Sequence, residues 1–215
     1  MQHGFGATNN TWYRDINHFA VQTPELHGPL AFYSHDFGLA LLALFLLVAW
    51  WRARRRPFPS RAVATVLWAA GGTVAAWVVA HFVLKPVVAE RRPYLVMHHM
   101  EVLLTRTHEY SFPSGHATIA GAVIVGLWLS RDWIMAFLST VFGLFLAFGR
   151  IYTGMHYPFD VVGGLLFGGV LVAVVFPLAV AVLTWFDQQL VERTPLAFLV
   201  TSGGRSRRGA RDVFS

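Results

Sequence analysis

Residues 109–130 read EYSFPSGHATIAGAVIVGLWLS. From Ala117 onward the segment is small and apolar, as a bilayer crossing requires, yet it opens on Pro113, Ser114, Gly115 and His116. A tight turn and a histidine at the mouth of a membrane helix need a reason, because polar groups at membrane depth are costly and point by default to function. Read as a span, the segment sets the fold class: an all-α, polytopic membrane helical bundle.

The rest of the chain supports that reading. Of 215 residues 55% are hydrophobic and 13% charged, with a mean hydropathy of +0.51, too apolar for a soluble domain of this length. About five apolar runs reach or approach spanning length, at roughly 31–51, 62–84, 116–131, 133–149 and 160–185. Ser130, Arg131 and Asp132 form a polar turn between the third and fourth. The chain contains no cysteine, which excludes disulfides, thiolate catalysis and cysteine-ligated metals.

Three regions are expected. Residues 1–30 form an N-terminal amphipathic interfacial helix, because Trp12, Ile16, Phe19 and Ala20 share one helical face, with Trp12 and Tyr13 of the type found at membrane interfaces. Asp15, Glu25 and the lack of a basic start argue against a cleaved signal peptide. Residues 31–190 form the membrane domain, and 191–215, with GGRSRRGAR, a basic tail. Eleven of the 17 Lys and Arg residues fall on the side of WRARRRPFPSR and the tail, and six on the other. The excess of basic residues on cytoplasmic loops puts the C-terminus in the cytoplasm and the 85–116 face outside. The formal charge of +6 does not imply nucleic acid, since the basic residues flank apolar runs and suit anionic lipid.

On the outer face the chemistry concentrates. Lys85 ends the second run, Arg92 and Pro93 follow in KPVVAERRP, Ser114 to His116 open the third, and GRIYTGMHYPFD places Arg150, His156 and Asp160 between the fourth and fifth. Antiparallel spans bring these groups to one level. An ammonium and two guanidiniums suit a phosphate, and the helix start at Ser114 and Gly115 adds backbone N–H groups and a positive dipole end. Asp160 lies one helical turn after His156, where it can fix the imidazole tautomer, so His156 reads as nucleophile and His116 as general acid. His98, His99, His108 and Glu109 lack regular zinc-site spacing, and their segment reads as a lid or short interfacial helix. Glu90 and Arg91 read as flanking surface charges, and His35 and Asp36 as a groove lining or an interface pair. Gly71-Gly72, Gly163-Gly164 and Gly168-Gly169 read as close helix contacts.

These motifs resemble the three signatures of the type 2 phosphatidic acid phosphatase (PAP2) superfamily, which includes vanadium haloperoxidases and glucose-6-phosphatase. Lys85, Arg92 and Pro93 match the first, Pro113 to His116 the second, and Arg150, His156 and Asp160 the third, with Gly149 where the family has serine. The resemblance implies a metal-independent, cofactor-free hydrolase that works through a phosphohistidine on His156. The short plan with its leading amphipathic segment is similar to bacterial undecaprenyl-diphosphate phosphatases of the bacitracin-resistance type. That similarity implies a lipid phosphate substrate, a polyprenyl diphosphate first and phosphatidic acid or phosphatidylglycerol phosphate next, in a bacterial inner membrane. A non-enzymatic lipid carrier is the alternative of a different class.

Overall fold

The computed structural model describes residues 6–56 and 59–193, with side chains to 186. The expected basic tail past Arg193 lies outside the described residues. Every regular element among the described residues is helical. We label α1 Gly6–Gln22, α2 Pro24–Ala53, α3 59–88, α4 Gly115–Leu129, α5 Trp133–Tyr152 and α6 Pro158–Arg193.

The stretches Pro24–Ala53, Pro59–Val96, Trp133–Tyr152 and Pro158–Phe186 are long and apolar enough to cross a membrane. The third expected span, α4, is shorter at 15 residues, or about 22 Å. It is apolar all round because it is enclosed, packing against α3, α5 and α6. The bundle is apolar outside as well as inside: Phe137, Leu166, Val174 and Leu178 are all more than 60% exposed, as an integral membrane protein requires. Inside, small residues let backbones meet. A methyl group at Gly121 would collide with the Leu165 carbonyl, and one at Gly168 with that of Thr118, so α4 and α6 touch main chain to main chain. Gly71, expected at such a contact, faces open space instead.

Two helices widen into π turns at the same end of the bundle, Tyr33–Phe37 in α2 and Ala80–Leu84 in α3. The second precedes Pro86, whose ring would clash with the carbonyl four residues back in a regular helix. At the other end the α4–α5 turn is tied to α2. Arg52 Nε donates to Asp132 Oδ2 at 2.7 Å, and Arg56 Nη1 to the Ser130 carbonyl at 2.9 Å.

The leading helix forms over Gly6–Gln22, and its other face packs on the bundle. Trp12 and Phe19, on the apolar face expected to lie on the membrane surface, are 50% and 44% exposed, while Ala20 of that face packs inward with Asn9, Tyr13 and Asn17. The polar stripe wins because the loops at this end supply hydrogen-bond partners for it.

Candidate active site

Lys85 follows the π turn of α3, and Ala89 then takes a left-handed conformation, φ 51°, which reverses the chain. The reversal sends Arg92 inward, 4% exposed, and Arg91 outward. Glu90, expected as a surface charge, goes inward with Arg92 and is 4% exposed, with no hydrogen-bond partner for either carboxylate oxygen. Ser114 is the N-cap of α4 and Gly115 its first residue, after a cis Phe112–Pro113 peptide. Arg150 lies in the last turn of α5, His156 in the loop that follows, and Asp160 in the first turn of α6. All eight expected site residues therefore lie at one end of the bundle. His116, His156, Lys85, Arg92, Arg150 and Gly115 line a single pocket of about 270 Å³.

The hydrogen bonds of His156 define its tautomer. Arg92 Nη1 lies 3.3 Å from Nε2, and because a guanidinium has only donors, Nε2 is the bare, accepting nitrogen. The proton is then on Nδ1, facing Asp160 Oδ2 at 3.5 Å and Ser111 Oγ at 3.4 Å. Asp160 Oδ2 is itself held by the Ser111 hydroxyl at 2.5 Å and the Tyr157 amide at 2.8 Å. Burial, then the cations Arg92, Arg150 and Lys85, hold the His156 imidazole well below its usual range. The ring is neutral, with a lone pair toward the pocket.

The rest of the pocket is built for an anion. Lys85, Arg92 and Arg150 are 6%, 4% and 5% exposed, and the Ser114 hydroxyl and Arg150 Nε are buried without partners. Buried polar groups are rarely left unpaired, so Arg150 Nε, in the pocket lining, marks where a ligand oxygen fits, with Ser114 next to the lining residue Gly115. The Ser114 amide, expected among the anion donors, is given to the Asp160 carbonyl instead, at 3.0 Å. The first ladder bond of α4 runs from Thr118 to Ser114, which leaves the amides of 115–117 outside the ladder. His116 Nε2 donates to the His35 carbonyl at 2.9 Å, and Arg150 Nη1 to that of Ser34 at 3.0 Å. The π turn of α2 thus orients both the expected acid and one guanidinium. His35 also pairs with Asp36 at 2.6 Å, an exposed pair beside the pocket.

Four contributions were not read from the sequence. Ser111 carries no spacing signal beyond its nearness to Pro113. Glu109 reaches Lys85 Nζ at 2.7 Å and Arg92 Nη2 at 3.9 Å, so a carboxylate stands among the cations expected to bind phosphate. Its hydrogen bond to Lys85 holds the Glu109 carboxyl below the usual carboxylate range. The carbonyls of Ser34 and His35 have no side-chain signature at all. Gly149, in the serine position of the third motif, has a spatial reason: a Cβ there would stand 2.8 Å from that of Ser34.

Together these features define a class: a helical membrane protein with an anion pocket beside a neutral, oriented imidazole. The chain belongs to the PAP2 superfamily, whose family model matches residues 66–183. Among curated proteins it is 33% identical over 130 residues to "Undecaprenyl-diphosphatase BcrC" of Bacillus subtilis, covering 60% of this chain and 63% of the relative. It is 35% identical over 86 residues to "Undecaprenyl-diphosphatase" of Sulfolobus acidocaldarius, covering 40% of this chain and 42% of the relative. The matched segments thus span about half the length of these two relatives. Among solved structures, Aquifex aeolicus LpxE superposes with a TM-score of 0.58 at 20% identity, covering 82% of this chain and 99% of LpxE. The PAP2-type phosphatidylglycerolphosphate phosphatase of Bacillus subtilis gives the same TM-score at 19% identity, covering 86% and 89%.

Proposed function

We propose that this protein is a membrane-embedded lipid phosphatase that hydrolyses a polyprenyl diphosphate to the monophosphate and inorganic phosphate. The observation that carries the reading is the bare Nε2 of His156, held by Arg92 in a pocket that is also lined by Arg150, whose Nε is buried without a partner. The terminal phosphate sits among Lys85, Arg92, Arg150, the Ser114 hydroxyl and the amides that begin with Gly115. His156 Nε2 attacks phosphorus and the P–O bond to the lipid monophosphate breaks. His116 protonates the departing oxygen, and Asp160 stabilises the positive charge that the phosphorylated ring acquires. Water, losing its proton to the now neutral His116, then attacks phosphorus and breaks the P–N bond. Inorganic phosphate leaves and the acid is restored. Every step uses side chains of this chain, with no metal or cofactor called upon.

The substrate class rests on the names of the two curated relatives above, and the site reads the phosphate rather than the tail. The setting that fits is a bacterial inner membrane, with the pocket outside and Arg52 to Arg61 at the cytoplasmic end. Purified protein in detergent with EDTA is offered a polyprenyl diphosphate or phosphatidic acid, each against His156→Ala. Phosphate release from the polyprenyl diphosphate that is lost in the variant is the expected result. Preference for phosphatidic acid moves the substrate to phospholipids, and no release from either turns the reading to lipid carriage. A cysteine placed near Arg106 and labelled only from the cytoplasmic side overturns the orientation.

A further inference from the structure

The helix that precedes the bundle makes contacts that membrane attachment does not need. Asn9, Tyr13 and Asn17 are spaced four apart on one face of α1 and are 0%, 0% and 3% exposed. Each bonds to the main chain of a different segment around His156. Asn9 Oδ1 accepts from the Phe159 amide at 3.0 Å, in the α6 turn that carries Asp160, where the helix has no partner of its own to offer. The Tyr13 hydroxyl donates to the Gly154 carbonyl at 3.2 Å, and its ring packs on Tyr157 with centroids 5.4 Å apart. Asn17 binds both sides of one peptide unit pair, giving Nδ2 to the Glu101 carbonyl at 2.8 Å and taking the Glu101 amide at 3.0 Å.

The segment around Glu101 in turn closes on the loop that carries His156. Leu103 donates to the Thr153 carbonyl at 3.1 Å, and Gly154, at φ 77°, leaves no room for a Cβ under the Glu101 carbonyl. His156 is thereby bracketed on both sides by atoms that α1 holds. An apolar stripe would bind α1 without the cost of burying two amides and a phenol, but apolar contacts slide where hydrogen bonds fix register. We infer that α1 is a positioning element for the nucleophile, with Asn9, Tyr13 and Asn17 as positioning residues that set the 153–160 segment against the phosphate pocket. This rests on the phosphohistidine role given to His156 above.

The test uses the full-length protein in detergent and reads single-turnover labelling of His156 from a radiolabelled polyprenyl diphosphate, together with KM and the thermal midpoint. Asn9→Leu removes the acceptor. Asn9→Asp keeps it, and loses only an Nδ2 that has no partner, while its charge at a helix start is favourable. Tyr13→Phe keeps the buried ring and removes one hydroxyl. A small misplacement of a reacting group costs up to about 100-fold in rate, so Asn9→Leu is expected to slow labelling about 10- to 100-fold at nearly unchanged KM. Asn9→Asp restores the rate, and Tyr13→Phe slows it about three- to tenfold. The inference is overturned if Asn9→Asp is as slow as Asn9→Leu, if all three variants label at the wild-type rate, or if only the thermal midpoint moves. Absence of labelling in the wild type overturns the phosphohistidine reading itself, and is distinguished by being independent of α1.

Discussion

At the Arg52 end of the bundle, Asp132 is 2% exposed and takes Arg52 at 2.7 Å and Arg56 at 3.8 Å, both arginines remaining a third or more open to solvent. At the His156 end, Lys85, Arg92 and Arg150 are buried nearly as deeply as Asp132, and the carboxylate in contact with Lys85 and Arg92 is Glu109, itself half exposed. The remaining partners of Arg92 and Arg150 there include the carbonyls of Glu109, Met155 and Ser34, which are neutral. The first end is an ion-pair cluster that fastens a turn through Asp132 Oδ2, with Oδ1 buried and unpartnered. At the second, among the described residues, the buried Glu90 and Asp160 form no ion pair with Lys85, Arg92 or Arg150, and this surplus of unpaired positive charge costs stability unless an anion arrives. A protein keeps such a surplus where the anion is its ligand.

The largest effect that separates the two ends is expected from His156→Asn. It removes the proposed nucleophile and leaves the cations, so turnover is expected to fall by at least about 10³-fold with lipid phosphate binding retained. Turnover and equilibrium binding measured on one preparation check this, and residual turnover near wild type breaks the assignment. Arg150→Met is expected to cost about 10²- to 10³-fold in kcat/KM, the scale of one lost transition-state donor, with the thermal midpoint unchanged or raised, since a buried uncompensated charge goes with it. Asp132→Asn should do the reverse, keeping kcat/KM and losing about 1.5–3 kcal/mol of stability with its charged hydrogen bonds. If both variants lose stability alike, the contrast between the ends is wrong.

Much of this contrast could be read from the sequence, and the reason is physical. Apolar runs report spans because hydrocarbon tolerates little else, and Lys85, Arg92, His116, Arg150, His156 and Asp160 stand out because charge beside such runs is expensive. What could not be read depends on the third dimension. Glu90 and Arg91 are neighbours in a charged loop, and a single left-handed residue decides which is buried. Asn9 and Asn17 look like the solvated face of an amphipathic helix until backbone partners appear opposite them. The carbonyls of Ser34 and His35 are invisible to any residue pattern, since every residue carries the same main-chain oxygen.

Glu109 sharpens the comparison further, because it is the carboxylate that makes the resting pocket resemble the Asp132 end. On the proposed reading, phosphate displaces it from Lys85. Glu109→Gln removes the competing charge, so inhibition by inorganic phosphate or vanadate is expected to tighten about five- to tenfold, a coupling on the scale of one exposed-to-buried ion pair. Unchanged inhibition would mean that the loop carrying Glu109 already stands aside in solution.

The smallest expected effect concerns pH, and its sign follows from the same surplus. Burial and the three cations disfavour the imidazolium, so His156 stays neutral as pH falls through the usual histidine range near 6.5, and the acid limb of kcat/KM lies below it. Lys85→Met removes one of those cations from the neighbourhood. The imidazolium becomes less costly, the folded-state pKa rises, and the acid limb moves up in pH, while KM rises for loss of a phosphate contact. A neutral variant at Asp132 leaves the limb where it is, because that charge sits at the far end of the bundle and outside the screening length of about 8 Å. An acid limb that stays fixed in Lys85→Met would mean that burial alone lowers the nucleophile's basicity, and that the cations serve the phosphate only.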